Sequence, residues 1–150
     1  MKSVQLITDG SCLGNPGRGG WAYILRYNAH SREAWGSHPE TTNNRMELTA
    51  ATEGLRALRE PCQVTVVTDS EYVKNGITQW IHGWKRNGWR TAAKKPVLNQ
   101  DLWQALDFEV GRHKVTWEWT KGHAAHDDNN RCDELAQRAA REQSAGRSDL

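Results

Sequence analysis

Two stretches of this sequence, Leu6-Ile-Thr-Asp-Gly-Ser11 and Val66-Val-Thr-Asp-Ser70, decide the fold that we predict. In each, an apolar β-rich run leads through a threonine and an aspartate to a small residue. A helix is predicted between them, starting at the capping residues of Thr41-Thr-Asn-Asn44. Strand, helix and strand in this order indicate a right-handed crossover and a parallel pairing. Asp9 and Asp69 would then lie side by side at strand carboxyl ends, where open α/β sheets carry their ligands.

Hydrophobic periodicity and turn residues predict the other elements. Strands are expected at 3–8, 21–27, 32–36, 63–68 and 114–119, separated by a turn-rich loop at 9–20. Helices are expected from about 43 to 59 and at 70–76, 80–87, 101–111 and 128–142. We therefore predict one α/β domain over residues 1–150, with a flexible polar tail over about 143–150.

Composition restricts the class of protein. The chain has 150 residues, of which 37% are hydrophobic and 25% charged, so it is globular rather than disordered. Its cysteines, Cys12, Cys62 and Cys132, are odd in number and form no close pair, which disfavours a disulfide framework or a zinc site. No signal peptide or membrane span is recognisable. We expect a cytoplasmic monomer that needs no membrane or obligate protein partner.

Two further acids join the paired aspartates as candidate metal ligands. Glu47 lies on the same helical stripe as Ala51 and Leu55, and a carboxylate on a buried face is costly unless it is paired or binds metal. A pairing of Glu47 with Arg45 or with another basic residue at the rim of the stripe is the alternative. Asp133 borders an apolar stripe of the last helix, and by itself it is equally an acid favoured by the helix dipole. Oxygen ligands suit Mg²⁺ or Mn²⁺, and a pair of such ions can activate water for phosphoryl transfer.

A basic, aromatic segment follows the second aspartate. The stretch from Tyr72 to Gln100 contains no acidic residue, which favours binding to a phosphate backbone. Its candidate contacts are Trp80, Trp84, Lys85, Arg86, Lys94 and Lys95. For the tryptophans, a role as core anchors is at least as well supported by the sequence.

Polar side chains crowd the predicted edge of the sheet, where amides and hydroxyls can contact sugars and bases. They are Cys12, Asn15, Thr42, Asn43, Asn44 and Glu71. Turn formation at Asn15 and helix capping at Asn43 are the structural alternatives. His123 lies in a small-residue loop and could move protons near neutral pH, although a surface histidine on a turn is the commoner case.

These motifs, taken together and in order, closely resemble bacterial ribonuclease H of type 1. The resemblance covers nearly the whole chain except the tail. It is carried by Thr8-Asp-Gly-Ser-Cys-Leu-Gly-Asn-Pro-Gly17, Thr41-Thr-Asn-Asn-Arg-Met-Glu-Leu48, Thr68-Asp-Ser70, Trp117-Glu-Trp-Thr-Lys-Gly-His123 and Asn130-Arg-Cys-Asp-Glu-Leu-Ala136.

The resemblance implies a ribonuclease H-like fold, a five-stranded mixed sheet flanked by helices. It also implies endonucleolytic hydrolysis of the RNA strand of RNA–DNA hybrids, leaving 5′-phosphate ends, with one or two Mg²⁺ or Mn²⁺ ions. The family's metal ligands match Asp9, Glu47, Asp69 and Asp133. Its active-site histidine, which transfers protons, helps product release or does both, matches His123.

The same resemblance assigns substrate contacts. Residues 80–96 match the family's basic protrusion. Thr42 would hold a DNA phosphate, and the contacts on the RNA-facing side would be Cys12, Asn15, Asn43 and Asn44. The chain departs from the family at Glu71, where relatives often carry glutamine, and at Ala125 in the histidine loop, where they carry glycine.

Two other functions are compatible with such a fold. A non-catalytic nucleic-acid-binding module would be expected to lack at least one of the four carboxylates, and all four are present. A DNA resolvase or strand transferase would need additional DNA-binding regions, for which the chain has little room.

Overall fold

The computed structural model describes residues 1–120 and 127–149, in which six strands form one mixed sheet. The strands are β1 Lys2–Leu13, β2 Gly17–Tyr27, β3 His30–Thr41, β4 Cys62–Thr68, β5 Lys114–Trp119 and β6 Gly146–Asp149. The helices are α1 Asn43–Arg56, α2 Glu71–Asn75, α3 Ile81–Arg86, α4 Gln100–Arg112 and α5 Asp127–Glu142. A π-helical turn, Gly76–Trp80, joins α2 to α3.

The order of strands across the sheet is β5-β4-β1-β2-β3-β6. β1 pairs with β4 in parallel, as the sequence predicted, and β4 pairs with β5 in the same sense. The neighbouring pairs from β1 to β6 are antiparallel. The parallel half therefore presents the carboxyl ends of β4 and β5 at the same edge as the middle of β1.

Alternating side chains of β1 supply two separate cores, as the period of a strand requires. Leu6 is buried in the core beneath α1 and α4, which includes Leu55 and Trp103. Ile7 points to the other face and is buried in a smaller core with Leu135 of α5. The sheet is thus covered on both faces, and the carboxyl ends of β4 and β5 are left for a site.

The first hairpin differs from the prediction. A loop was expected over residues 9–20, but β1 continues to Leu13, and Asp9 pairs with Ala22 of β2. The turn is confined to residues 14–16, after which β2 begins at Gly17. Glycines weaken a strand signal in sequence, and here the antiparallel partner compensates for them.

The end of the chain also differs. Residues 143–150 were predicted to be a flexible tail, and five strands were expected. Instead Gly146–Asp149 forms a sixth strand against β3. Arg32 Nε lies 2.7 Å from Asp149 Oδ1, which ties the two strands together. The polar sequence Arg-Ser-Asp gives no strand signal, and the pairing arises because β3 offers an open edge.

Helix α1 ends at Arg56, earlier than predicted, whereas α4, α5 and β5 lie within one residue of their predicted bounds. The two short helices expected after Asp69 are one continuous helical segment through the π-helical turn. Gly76 allows this segment to approach Trp103, since a Cβ there would lie 1.9 Å from the indole ring. Of the helices in the described ranges, none combines the length and apolar character needed to cross a membrane.

Candidate active site

Asp9 and Glu47 are brought together by a glycine. A Cβ on Gly10 would lie 2.5 Å from the Glu47 backbone nitrogen, so only glycine lets β1 approach α1 this closely. The Gly10 amide donates to Asp9 Oδ1 at 2.9 Å and to Glu47 Oε1 at 2.8 Å. One backbone N–H therefore fixes an oxygen of each carboxylate.

Asp69 completes the cluster from the neighbouring strand. It follows directly on the last residue of β4, and it is half-buried. One carboxylate oxygen from each of Asp9, Glu47 and Asp69 lies within 4.8 Å of the other two. The predicted adjacency of the two aspartates is observed, and so is the inward orientation of Glu47.

Burial and mutual repulsion disfavour the charged forms of this cluster. Asp9 is 5% exposed and Glu47 is 3% exposed. Burial is the main cause that raises the pKa of Asp9, and the charge of Glu47 adds to it. Burial likewise raises the pKa of Glu47, which the nearby charge of Asp69 reinforces. Asp9 Oδ2 and Glu47 Oε2 are buried without a hydrogen-bond partner among the described residues. Such a group can hold a metal ion, which would satisfy both oxygens.

Of the partners that the alternative interpretation offered Glu47, Arg45 is excluded. Arg45 turns away and binds Asp101 through both carboxylate oxygens, at 3.1 and 2.8 Å. Its Nη1 also donates to Asn99 Oδ1. Among the described residues, no cationic side chain is therefore paired with Glu47 to compensate its burial.

Asp133 lies at the rim rather than in the tight cluster. It stands on α5, is half-buried, and accepts a hydrogen bond from Gln137 Nε2 at 2.8 Å. The preceding residue, Cys132, is fully buried and anchors the helix, its Sγ lying 3.2 Å from the Ala22 carbonyl oxygen. The fourth carboxylate thus faces the same space as the other three while remaining accessible to solvent.

All four predicted carboxylates open into one cleft with a volume of about 640 Å³. Four of the predicted contact residues also line it: Cys12, Asn43, Asn44 and Glu71. Among the described residues the lining contains five acidic side chains and no basic one. A polyanion could enter such a cleft only if cations offset this charge.

The other two polar candidates shape the rim of the cleft. Thr42 caps α1, with its Oγ1 accepting from the Arg45 amide at 3.2 Å. Asn15 lies in the turn between β1 and β2, and its Oδ1 accepts from the Asn43 amide at 3.1 Å. Asn15 therefore holds the first residue of α1 against the hairpin, which places Asn43 at the cleft.

The structure adds cleft residues that the sequence analysis missed. They are Gly10, Ser11, Ser70, Tyr72, Trp119 and Thr120. Trp119 donates its indole N–H to the Asp69 carbonyl oxygen at 3.1 Å. Tyr72 follows Glu71 in α2, and its hydroxyl receives hydrogen bonds from Asn99 and Trp103. The alternation of β5 placed Trp119 in a strand, but no local pattern shows which neighbour its indole reaches.

The cations of the basic segment differ in whether an acidic side chain lies close to them. Arg86, Lys94 and Lys95 are exposed. Lys85 is also exposed, but its Nζ lies 3.2 Å from Asp107 of α4, so its charge is partly compensated. Its phosphate-binding role remains a prediction, and this ion pair competes with it.

The two tryptophans of the segment differ in exposure. Trp80 is 40% exposed, whereas Trp84 is packed against the main core and contacts Trp103, with ring centroids 5.4 Å apart. Core anchoring therefore accounts for Trp84, while Trp80 keeps a surface that a ligand could reach. His123, the predicted proton carrier, lies outside the described residues.

Comparisons with known proteins agree with this geometry. The family model described as RNase H matches residues 1–141. The ribonuclease H of Solibacter usitatus is 74% identical over 96% of this chain and 99% of its own length. The ribonuclease HI of Neisseria meningitidis serogroup A is 60% identical over 93% of this chain and 96% of its own length.

A solved structure shares both the fold and a substantial part of the sequence. It is LC9-RNase H1, described as a type 1 RNase H with the type 2 active-site motif. Its TM-score is 0.89 at 34% identity, covering 99% of this chain and 78% of that one. The chain described here therefore belongs to the ribonuclease H family of endonucleolytic hydrolases.

Proposed function

We propose that this protein hydrolyses the RNA strand of RNA–DNA hybrids, using water as the nucleophile and leaving 5′-phosphate ends. Asp9, Glu47 and Asp69 would hold one or two Mg²⁺ or Mn²⁺ ions, and Asp133 would contribute from the rim. Family membership supports the reaction class and the hybrid substrate.

The observation that carries the metal proposal is the state of the carboxylate oxygens. Asp9 and Glu47 each have one buried oxygen without a hydrogen-bond partner in the described part of the chain. Leaving buried acceptors unsatisfied is costly, and a hard divalent cation is the ligand that oxygen donors prefer. When bound, such an ion would lower the pKa of a water molecule and stabilise the leaving oxygen.

The remaining residues would bind and orient the substrate. Asn43, Asn44 and Cys12 line the cleft, where their side chains could contact sugars and base edges. Reading the 2′-hydroxyl of one strand is what distinguishes RNA from DNA. The exposed cations Arg86, Lys94 and Lys95 would contact backbone phosphates at a distance from the carboxylates.

The remaining residues would have roles in the same reaction. Thr42 would hold a DNA phosphate, and His123 would transfer a proton or assist product release. Asn15, Glu71, Trp80 and Lys85 would complete the substrate surface, and Trp84 would support it from the main core. The three free thiols support a location in the reducing cytoplasm.

A cleavage assay with three labelled duplexes tests the reaction. The protein is incubated with an RNA–DNA hybrid, duplex DNA and duplex RNA, each with Mg²⁺ and with chelator. We expect cuts only in the RNA of the hybrid, only with Mg²⁺, and with 5′-phosphates that a phosphatase removes. Cleavage of duplex DNA, or binding of the hybrid without cleavage, would show that the proposal is wrong.

A salt titration tests the substrate surface. We expect glutamine at Arg86, Lys94 and Lys95 together to reduce the slope of log affinity against log salt by about three, one for each phosphate that the variant can no longer neutralise. The matched control carries glutamine in place of Lys2, Arg59 and Lys114, which lie near the amino ends of the parallel strands. Equal slopes for the two triple variants would exclude the basic segment from phosphate binding.

A further inference from the structure

The peptide unit that joins Asp69 to Ser70 is held at both of its polar ends. Its carbonyl oxygen accepts the indole N–H of Trp119 at 3.1 Å. Its N–H donates to Thr68 Oγ1 at 3.0 Å. Because the peptide unit is planar, holding both its C=O and its N–H fixes the backbone rotation that follows Asp69.

These two contacts on the peptide unit matter because Asp69 lies beyond the last residue of β4 that pairs with a neighbouring strand. The parallel pairing with β1 ends at Val67, and the pairing with β5 ends at Thr68 opposite Trp119. Asp9, by contrast, lies inside the antiparallel ladder, opposite Ala22. Strand pairing therefore orients the backbone of Asp9, whereas side-chain contacts orient the backbone of Asp69.

The indole of Trp119 is itself held in place. Trp119 is the last residue of β5, and the ammonium of Lys74 lies 5.2 Å from the centroid of its ring, a favourable cation–π distance. The next residue, Thr120, continues toward β4 by donating its amide to the Thr68 carbonyl oxygen at 3.0 Å. Trp117, two residues earlier on the same strand, packs against the main core instead.

We propose that Trp119 and Thr68 are positioning residues, which orient the Asp69 carboxylate toward Asp9 and Glu47 by fixing the Asp69–Ser70 peptide plane. The inference rests on the proposed function, because it assumes that these three carboxylates share a divalent cation. Groups that orient metal ligands typically change metal affinity or activity by about 10–100-fold when removed.

The test measures Mn²⁺ and Mg²⁺ affinity by calorimetry on the substrate-free protein. We expect Trp119→Phe and Thr68→Val each to weaken Mn²⁺ binding about 10-fold. Thr68→Ser keeps the hydroxyl and loses a buried methyl group, so it should bind Mn²⁺ like the wild type. A merely structural role for Thr68 predicts the reverse order, since valine preserves the buried volume better than serine does.

Matched controls separate this effect from the loss of a threonine or a tryptophan. They are Thr65→Val on the same strand as Thr68, and Trp117→Phe on the same strand as Trp119. Both controls should retain wild-type Mn²⁺ affinity. In hydrolysis assays at limiting metal, the two positioning variants should lose kcat with an unchanged KM for the hybrid, and added Mn²⁺ should restore kcat.

The outcomes distinguish the inference from the function on which it rests. If the wild type binds no divalent cation, or Asp69→Asn binds it equally well, the proposed metal site is wrong. If Asp69→Asn loses affinity while Trp119→Phe and Thr68→Val bind like the wild type, only the positioning inference is wrong. Should Thr68→Val fail to fold, Trp119→Phe decides alone, because an aromatic ring is retained and the N–H donor is removed.

Discussion

Two segments with almost the same sequence, Thr8-Asp9-Gly10 and Thr68-Asp69-Ser70, carry the two central aspartates in different ways. The first lies inside a strand that continues to Leu13, and its aspartate is buried. The second ends its strand and caps the next helix through the Ser70 hydroxyl, which accepts from Val73 N at 3.1 Å. The same local pattern therefore gives one buried carboxylate inside a strand and one half-buried carboxylate at a strand end.

The backbone N–H that follows each aspartate has a different acceptor in the two segments. The Gly10 N–H donates to the carboxylates themselves, so it stabilises their charge. The Ser70 N–H donates to the Thr68 hydroxyl, so it orients backbone instead. The hydroxyl of Thr8, which is the counterpart of Thr68, is buried and has no hydrogen-bond partner in the described ranges. In the first segment, buried carboxylates carry an electrostatic cost that a cation can relieve. In the second, side-chain contacts hold the backbone that follows the aspartate.

The largest expected effect is on hydrolysis. Asp9→Asn and Asp69→Asn should each lower kcat more than about 100-fold, because groups one step removed from a metal already account for about 10–100-fold. Rates are measured on a labelled hybrid at saturating Mg²⁺, with Asp149→Asn in β6 as the control. If either aspartate variant kept a rate near that of the control, the carboxylate would not be a metal ligand.

The next effect is on folding, at the residues that follow the aspartates. Gly10→Ala forces a Cβ against the backbone of Glu47 and should lower the free energy of unfolding by about 3 kcal/mol. Ser70→Ala removes only a helix cap and should cost about 1 kcal/mol. Urea denaturation measures both. Equal costs at the two positions would mean that β1 and α1 can separate without penalty.

The third effect is a pH dependence of the metal-free protein. Because the pKa of Asp9 is raised above its ordinary value of 3.8, the folded protein binds a proton that the unfolded chain releases. In chelator, the contribution of this proton to the free energy of unfolding is fully present below pH 3.8, and it is lost as pH rises toward the pKa of Asp9 in the folded protein. The loss is at most about 1.4 kcal/mol per pH unit for each proton.

Thermal denaturation between pH 5 and pH 8 in chelator tests this sign. Asp9→Asn should flatten the decline in part, because a neutral amide has no proton to release, while Glu47, whose pKa is also raised by burial, still titrates. Asp69→Asn should flatten it less, since the Asp69 charge is a smaller cause of the raised pKa of Asp9 than burial and Glu47 are. A wild-type profile that rises with pH, or that runs parallel to that of Asp9→Asn, would contradict the assignment.

The smallest effect concerns the two threonines. Thr8→Val removes a buried hydroxyl that has no partner in the described residues, so the free energy of unfolding should rise by about 1 kcal/mol. Thr68→Val leaves the Ser70 N–H without its acceptor and should lower the free energy of unfolding by about 1 kcal/mol. Opposite signs are the decisive result in chemical denaturation. A common sign would show that the two hydroxyls have equivalent surroundings.

Sequence reasoning succeeded where a local pattern has one structural solution. The matched apolar runs before Asp9 and Asp69 predicted two parallel neighbouring strands, because a helix that connects two strands of one sheet normally forms a right-handed crossover between parallel strands. The helical stripe placed Glu47 inward, because its neighbours at helical spacing are apolar. Both predictions used only the periods of strands and helices.

Sequence reasoning failed where the partner lies far away along the chain. The strand at Gly146–Asp149 exists because β3 has an open edge, which nothing in that polar tetrapeptide reveals. Lys85 is partly neutralised by Asp107, more than twenty residues later. The indole of Trp119 reaches Asp69 from the neighbouring strand. Contacts of this kind depend on how elements pack, and neighbouring residues do not encode them.

By itself, then, the sequence predicted a set of four acids and placed two of them, Asp9 and Asp69, directly after the apolar runs of a parallel pair of strands. Only the tertiary structure decided that Asp9, Glu47 and Asp69 form the tight group while Asp133 lies at its rim. The physical reason is the close approach at Gly10, which joins a strand to a helix and leaves two buried oxygens unsatisfied among the described residues. Periodicity fixes which face a residue occupies, but packing fixes which oxygens meet.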